Sequence, residues 1–311
     1  MSLLSIIAAK AARGEHVFTA EISPPRLYLE IDRIVGIARR LRALGLDAIA
    51  VTNSTGGSYK FSPWAIVEDI QRAMGHAPLI IHLTARDEGS ARSVYYHLHE
   101  MSLKGVRDVL IIRGDPSPGN SKVLDSYRFT TSELVNMAAG YRHGTLIDGS
   151  HCEPLPNLDI FVAAHPEFPD RALDKHFTFL KHKIDAGADG LIANIVTDAD
   201  AFFRYRDRAH AAGIDAPIIP SVLPLNSLRR CRFLAEQLHI AVPAATVERL
   251  QRADRDSAQR FGLEDLVGKL RRLVAGGAPG ANFNIIVPSD AEVVVEGVKT
   301  FRAGARGSCS E

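Results

Sequence analysis

The chain has 311 residues, 46% hydrophobic and 23% charged, a balance that excludes a disordered polymer and supplies enough apolar mass for a large core. Lys+Arg 37 against Asp+Glu 36 leave a formal net charge of +1, so no global field draws the chain to nucleic acid or an anionic membrane, and a small-molecule partner is expected. Cys152, Cys231 and Cys309 lie far apart without C-x-x-C or Cys/His spacing, which indicates no metal site and fits a reducing, cytoplasmic setting.

The apolar stretch from Leu3 to Ala9 has no basic region before it and is too short to span a bilayer, so a short leading helix packed on the rest of the fold is expected. Short apolar, β-branched runs then alternate with amphipathic stretches, the pattern of an α/β fold with a parallel sheet. The runs cover residues 17–22, 47–53, 78–84, 108–113, 159–164, 190–195, 217–222 and 282–287. After the first, Ile31, Ile34, Ala38 and Leu41 repeat at helical spacing up to Gly45; before the sixth, Leu173, Phe177, Leu180 and Ile184 do the same. Residues 116–132 and 141–158, rich in Gly, Pro, Ser, Asn and Asp, read as long connections. Two helical stretches, 227–239 and 244–275, precede the last strand, one more than a barrel unit needs. Eight units predict a (βα)8 TIM barrel in one domain over residues 1–304, followed by a flexible tail at 305–311.

A barrel keeps its chemistry at the carboxyl ends of its strands, where the loops form one open mouth. The last strand positions are Glu21, Thr52, Asn53, His82, Thr84, Arg113, Asp115, His165, Asn194 and Ser221, polar where the strands are otherwise apolar. Taken singly, such a carboxylate is more often a cap or surface ion-pair member; a convergent set reverses that balance. Ser23-Pro24-Pro25 fixes the exit from the first strand and would hold Glu21 in place, and a glutamate walled off from water has a raised pKa suited to a general acid. Gly114 offers close backbone approach to a flat ligand beside Asp115, while Arg113 either binds an anion or neutralises Asp115. His82 points inward with Ile80, as a core residue or a functional one. G-x-G-x-x-G, P-loop and G-x-S-x-G motifs are absent, so any nucleotide is expected on barrel loops.

Thr19-Ala20-Glu21-Ile22-Ser23-Pro24-Pro25, Val51-Thr52-Asn53, His82-Leu83-Thr84, Arg113-Gly114-Asp115, Lys183-Ile184-Asp185-Ala186-Gly187-Ala188-Asp189 and Ile219-Pro220-Ser221-Val222-Leu223-Pro224-Leu225 occur in an order that resembles the methylenetetrahydrofolate reductase family. The resemblance implies a flavin barrel, carrying FAD or FMN, that passes hydride from NADH or NADPH to 5,10-methylenetetrahydrofolate, or runs the reverse oxidation. It implies Glu21 as the acid that opens the folate ring and Asp115 as the anion that stabilises the resulting cation. The flavin set is then Thr52, Asn53, His82, Thr84, Arg113, Gly114, His165 and Lys183, and the folate set Asn194, Ser221, Leu223 and Leu228. The chain departs from the family pattern at Asn194, in place of a glutamine, at Pro169, in place of a histidine, and at Leu228, in place of an aromatic residue. Asp290 falls where the family's strand-eight segment carries a cation. Flavin-independent hydride transfer, action on another pterin or one-carbon carrier, and a non-catalytic folate-binding subunit remain open, as does assembly with itself or a partner.

Overall fold

Eight parallel strands close in sequence order into a barrel. They are β1 (Val17–Ile22), β2 (Ala48–Val51), β3 (Leu79–Thr84), β4 (Asp108–Ile112), β5 (Asp159–Ala164), β6 (Gly190–Ile195), β7 (Ile218–Val222) and β8 (Gly280–Asn284). The computed structural model describes residues 1–75, 77–119 and 125–307. Alternation sorts the strand side chains: Ala48, Ala50, Ile80, Leu110, Phe161, Ile192 and Ile219 fill the barrel, while Ile49, Val51, Ile81, Val109, Ile111 and Val162 face the helices.

Helices α1 (Leu3–Ala11), α2 (Ile31–Ala43), α3 (Pro63–Met74), α4 (Ala91–Leu103), α5 (Thr131–Arg142), α6 (Asp170–Asp185) and α7 (Ala199–Ala211) precede β7. The expected leading helix is α1, and Leu3 and Ile7 join the interior cluster of the barrel. Its first N–H groups meet two carboxylates at the amino ends of neighbouring strands: Leu3 donates to Asp108 at 2.9 Å and Leu4 to Asp159 at 3.3 Å. This closes the end of the barrel opposite the strand-end mouth.

Two expectations change. Between β7 and β8 the structure has three helices, α8 (Leu228–Gln237), α9 (Ala244–Gln251) and α10 (Arg255–Ala275). The expected 244–275 stretch divides because the Asp254 carboxylate accepts from Ser257 N–H at 2.7 Å and starts a new helix. The last strand ends at Asn284, not at residue 287. Ile285 to Val287 form a connection into α11 (Pro288–Gly307), and Ile286 and Val287 are exposed. Asp290 is thereby an internal cap: its carboxylate accepts from Ile286 and Val287 N–H and pairs with Arg230 at 2.7 Å. Residues 305–307 of the expected tail continue α11, and 308–311, with Cys309, lie outside the described residues. No helix among the described residues is long and apolar enough to cross a membrane.

Candidate active site

The mouth is built from the β1, β2, β3 and β4 loops on one side and the β5 and β6 ends on the other. Glu21 is the second-last residue of β1, paired in register with Asn284 of β8. Its carboxylate lies 3.8 Å from His82 Nε2, with 22% of its side chain exposed. Burial raises the Glu21 carboxyl to about 7, against the opposing pull of a hydrogen bond from Asn284 and the charge of Lys60. Burial also pushes His82 down to about 3, so its imidazole is neutral. Glu21 therefore faces a dipole and not a cation, which leaves it able to hold a proton near neutral pH.

The chain after Glu21 is fixed as the proline pair predicts. Pro24 and Pro25 are buried, and the Pro25 carbonyl accepts from Phe61 N–H at 2.9 Å, tying the β1 loop to the β2 loop. The Ser23 hydroxyl meets Thr52 at 2.9 Å and Thr55 at 3.2 Å. Lys60, beside Phe61 in that loop, is thus brought near the acid. Its ammonium is pulled below the usual range by burial and by Arg26, against the opposing effect of Glu21.

Arg86, two residues past β3, braces the next three loops. It is 2% exposed, forks onto Asp87 with two 2.7 Å bonds, and donates to the carbonyls of Ser54 at 3.1 Å and Asp115 at 2.9 Å. Asp87 also accepts from Thr84 at 2.5 Å and from Asn53 at 3.0 Å. The Asp115 side chain is exposed, and its Oδ2 accepts from Gly56 N–H at 2.7 Å. Gly57 makes this contact between loops achievable: at φ +65° an added Cβ would stand 2.1 Å from the Pro116 carbonyl oxygen. Gly114 also has a reason within the fold itself. Its missing side chain makes room for the protein's own Thr84 and Arg86, whose Cβ atoms would lie 3.1 and 3.2 Å from an added Cβ. Arg113 forms no ion pair with Asp115 among the described residues; its guanidinium lies 4.8 Å over the Tyr127 ring and is exposed.

Across the mouth, His165 and Asn194 converge on Glu167. Glu167 Oε1 accepts from Asn194 Nδ2 at 2.8 Å and lies 2.9 Å from His165 Nδ1. The His165 ring stacks on Phe168 at 5.1 Å between centroids.

Four expected site residues are placed elsewhere. The Ser221 hydroxyl is buried inside the barrel and accepts from Asn282, whose carbonyl accepts from Thr19. Leu223 is 1% exposed, in a cluster with Ile195, Leu225, Leu234 and Ile240. Leu228 begins α8 and packs with Cys231, Leu250 and Phe261. Lys183 is half-buried in the last turn of α6, the end that leads into the start of β6, so the strand ends are a helix length away. Conversely, Lys60, Arg86, Asp87, Glu167 and Asn284 escaped sequence reasoning. The Arg86-Asp87 pair directly after the Thr84 strand end was the available signal.

The cradle suits a flat ring system in part. His82 Nε2 and Asn284 Oδ1 are buried without protein partners among the described residues, so they can meet a ligand's polar edge. Arg113 offers an exposed cation at the rim. Thr52, Asn53 and Thr84 have their polar groups engaged by neighbouring side chains.

A carboxyl raised toward neutrality and an exposed carboxylate stand at the mouth of a closed (βα)8 barrel, where such barrels carry their catalytic groups. The chain belongs to the methylenetetrahydrofolate reductase family, whose model matches residues 6–295. It is 26% identical over 252 residues to the 5,10-methylenetetrahydrofolate reductase of Escherichia coli, covering 80% of this chain and 78% of that one. It is 24% identical over 291 residues to the probable NADH-dependent methylenetetrahydrofolate reductase of rice (Oryza sativa subsp. japonica), covering 89% of this chain and 47% of the longer plant protein. The fold matches a Clostridium thermocellum protein described as binding two copies of 5-methyl-5,6,7,8-tetrahydrofolic acid, with a TM-score of 0.61 at 16% identity over 97% of this chain and 99% of that one.

Proposed function

We propose that the protein moves hydride between a nicotinamide and a one-carbon folate, reducing 5,10-methylenetetrahydrofolate to 5-methyltetrahydrofolate or running the reverse oxidation. The observation that carries this is Glu21, a strand-end carboxyl raised to about 7 by burial and set against the neutral His82. Such an acid is about half protonated at pH 7 and can deliver its proton to the folate nitrogen that leaves as the five-membered ring opens. The ring opening leaves a substrate cation, which the exposed Asp115 carboxylate, steadied by Gly56 N–H and by Arg86 on its own carbonyl, would stabilise. The names of the E. coli and rice relatives support this substrate class.

A bound flavin, FAD or FMN, would supply the two-electron relay between nicotinamide and folate. His82, Asn284 and Arg113 would hold it by their free polar atoms, with Gly114 and His165 as walls. A second reading, direct hydride transfer without flavin, is favoured by the engagement of Thr52, Asn53 and Thr84 within the protein and by the position of Lys183.

The test is the visible spectrum of the purified protein and identification of any chromophore released on denaturation. Anaerobic assays with NADH, NADPH, methylenetetrahydrofolate and methyltetrahydrofolate follow, with FAD or FMN added. A flavin identified after release, whose protein-bound form NAD(P)H bleaches and methylenetetrahydrofolate reoxidises, supports the first reading. Folate turnover by a colourless protein selects the second. No folate-dependent turnover in either direction, with either nicotinamide and added flavin, overturns both.

A further inference from the structure

Glu167 takes no part in the chemistry above, yet its two carboxylate oxygens stand in sharply different surroundings. Only 8% of the side chain is exposed. Oε1 is held between Asn194 Nδ2 and His165 Nδ1, whereas Oε2 is buried with no partner among the described residues. Both holders are strand-end groups: His165 follows β5, and Asn194 sits where β6 slips register against β7 between Ala193 and Ile195. Stacking of His165 on Phe168, with ring planes 11° apart, removes the freedom of one holder.

A buried carboxylate oxygen without a donor is costly, and the cost is relieved when a ligand brings one. Burial acts to raise this carboxyl, but hydrogen bonds and charge from His165, with the Asn194 bond, outweigh it and hold it below the usual glutamate range. It is therefore an anion that accepts and does not donate.

We infer that Glu167 is a substrate-contact residue whose Oε2 accepts from the N–H edge of the pterin ring. The inference rests on the folate reading above and deepens it. Ring chemistry selects the ligand. A pterin carries a ring N–H beside an exocyclic amino group, two neighbouring donors that suit a carboxylate. The isoalloxazine ring N–H lies between two carbonyl oxygens, which a carboxylate repels. Asn194 acts as a positioning residue for this contact, since its amide nitrogen is already engaged by Glu167.

The test compares the protein with its Glu167→Gln variant for binding 5-methyltetrahydrofolate and the analogue in which methyl replaces the 2-amino group. The parent should prefer the 2-amino ligand roughly 10- to 100-fold, the loss expected for one charge-assisted hydrogen bond. Glu167→Gln should bind the two ligands about equally. A purely structural role would weaken both ligands alike and leave the preference intact, and that result overturns the inference. A parent that binds 5-methyltetrahydrofolate but lacks the preference overturns the inference alone. A parent that binds neither ligand overturns the folate reading and the inference together. Glu167→Asp, which keeps the charge and shortens the reach, carries the same comparison should Glu167→Gln not fold, and should lose most of the preference.

Discussion

Replacing Glu21 with glutamine keeps the shape of the side chain and removes its proton, so stability and turnover should move in opposite directions. Displacing a carboxyl from 4.5 to about 7 places roughly 3 kcal/mol on its ionised form. With 22% of the side chain still open to water, about 2 kcal/mol is a fair expectation. The raised value means that the folded state prefers the neutral acid. Its stabilisation is complete below about pH 4.5 and is lost as pH rises through about 7. Glu21→Gln should therefore match the parent's stability at pH 4.5 and exceed it by about 2 kcal/mol at pH 8, measured by urea unfolding across that range. Turnover should do the reverse. The folate half-reaction should fall by about 10² to 10⁴ at pH 6, the usual worth of a positioned general acid, with the nicotinamide half-reaction unchanged. Above pH 7 the parent should lose rate about tenfold per pH unit and approach the variant. Stopped-flow measurement of both half-reactions checks this. Superimposed stability profiles, or a parental folate rate in Glu21→Gln, would refute the role given to the acid.

Three further outcomes follow from the packing. Arg86→Ala removes the guanidinium that joins Asp87 to the Ser54 and Asp115 carbonyls and should cost about 3 kcal/mol by chemical unfolding, with little rescue by Arg86→Lys because a lysine cannot fork. Gly57→Ala places a Cβ against the Pro116 carbonyl and should part the β2 and β4 loops. Folate turnover should drop at least tenfold while circular dichroism keeps the barrel signature; unchanged turnover would show that the Gly56 to Asp115 contact is dispensable. Asp108, raised from 3.8 to about 8 by burial against the opposing bond from Leu3, stabilises the fold in its neutral form, an effect lost as pH rises through about 8. The melting temperature of the parent should fall between pH 7 and 9 by the equivalent of roughly 1 kcal/mol, and Asp108→Asn should flatten that slope.

The barrel was legible because parallel strands covered on both faces must be apolar, and seven of the eight runs are β-branched enough to announce themselves. The eighth is Gly280-Ala281-Asn282-Phe283-Asn284, poor in strand formers, and it exists because closure demands a partner for β1. Ile285-Ile286-Val287 beside it has the composition of a strand, yet two of its three side chains are exposed beyond the end of β8. This displacement has a chemical consequence. It hid Asn284, which pairs in register with the acid and works against its raised pKa, and turned Asp290 from a helix cap into an apparent rim charge. The placement of Glu21, His82 and Asp115 at one mouth was recoverable since strand ends in a barrel share it. Arg86 and Glu167 were not, because their roles depend on which loops touch, and loop contacts carry no periodic signal.

Three carboxylates at this mouth lie in three environments, and under the proposed function those differences divide the work. Glu21 faces a neutral imidazole inside a closed strand end and is raised; Glu167 is gripped by His165 and Asn194 and is lowered; Asp115 stands in solvent, fixed through backbone contacts. A group that must give a proton is best kept neutral by burial, whereas one that must accept from a ring edge is best kept anionic by donors. Exchanging those surroundings would defeat both tasks. A histidine cation beside Glu21 would lower it until the proton was gone before the substrate arrived. Removing the Asn194 bond and the His165 contact from Glu167 would let burial raise it toward a protonated form. The division of acid and acceptor thus lies in what surrounds each carboxylate, and its pH signature should follow those neighbours.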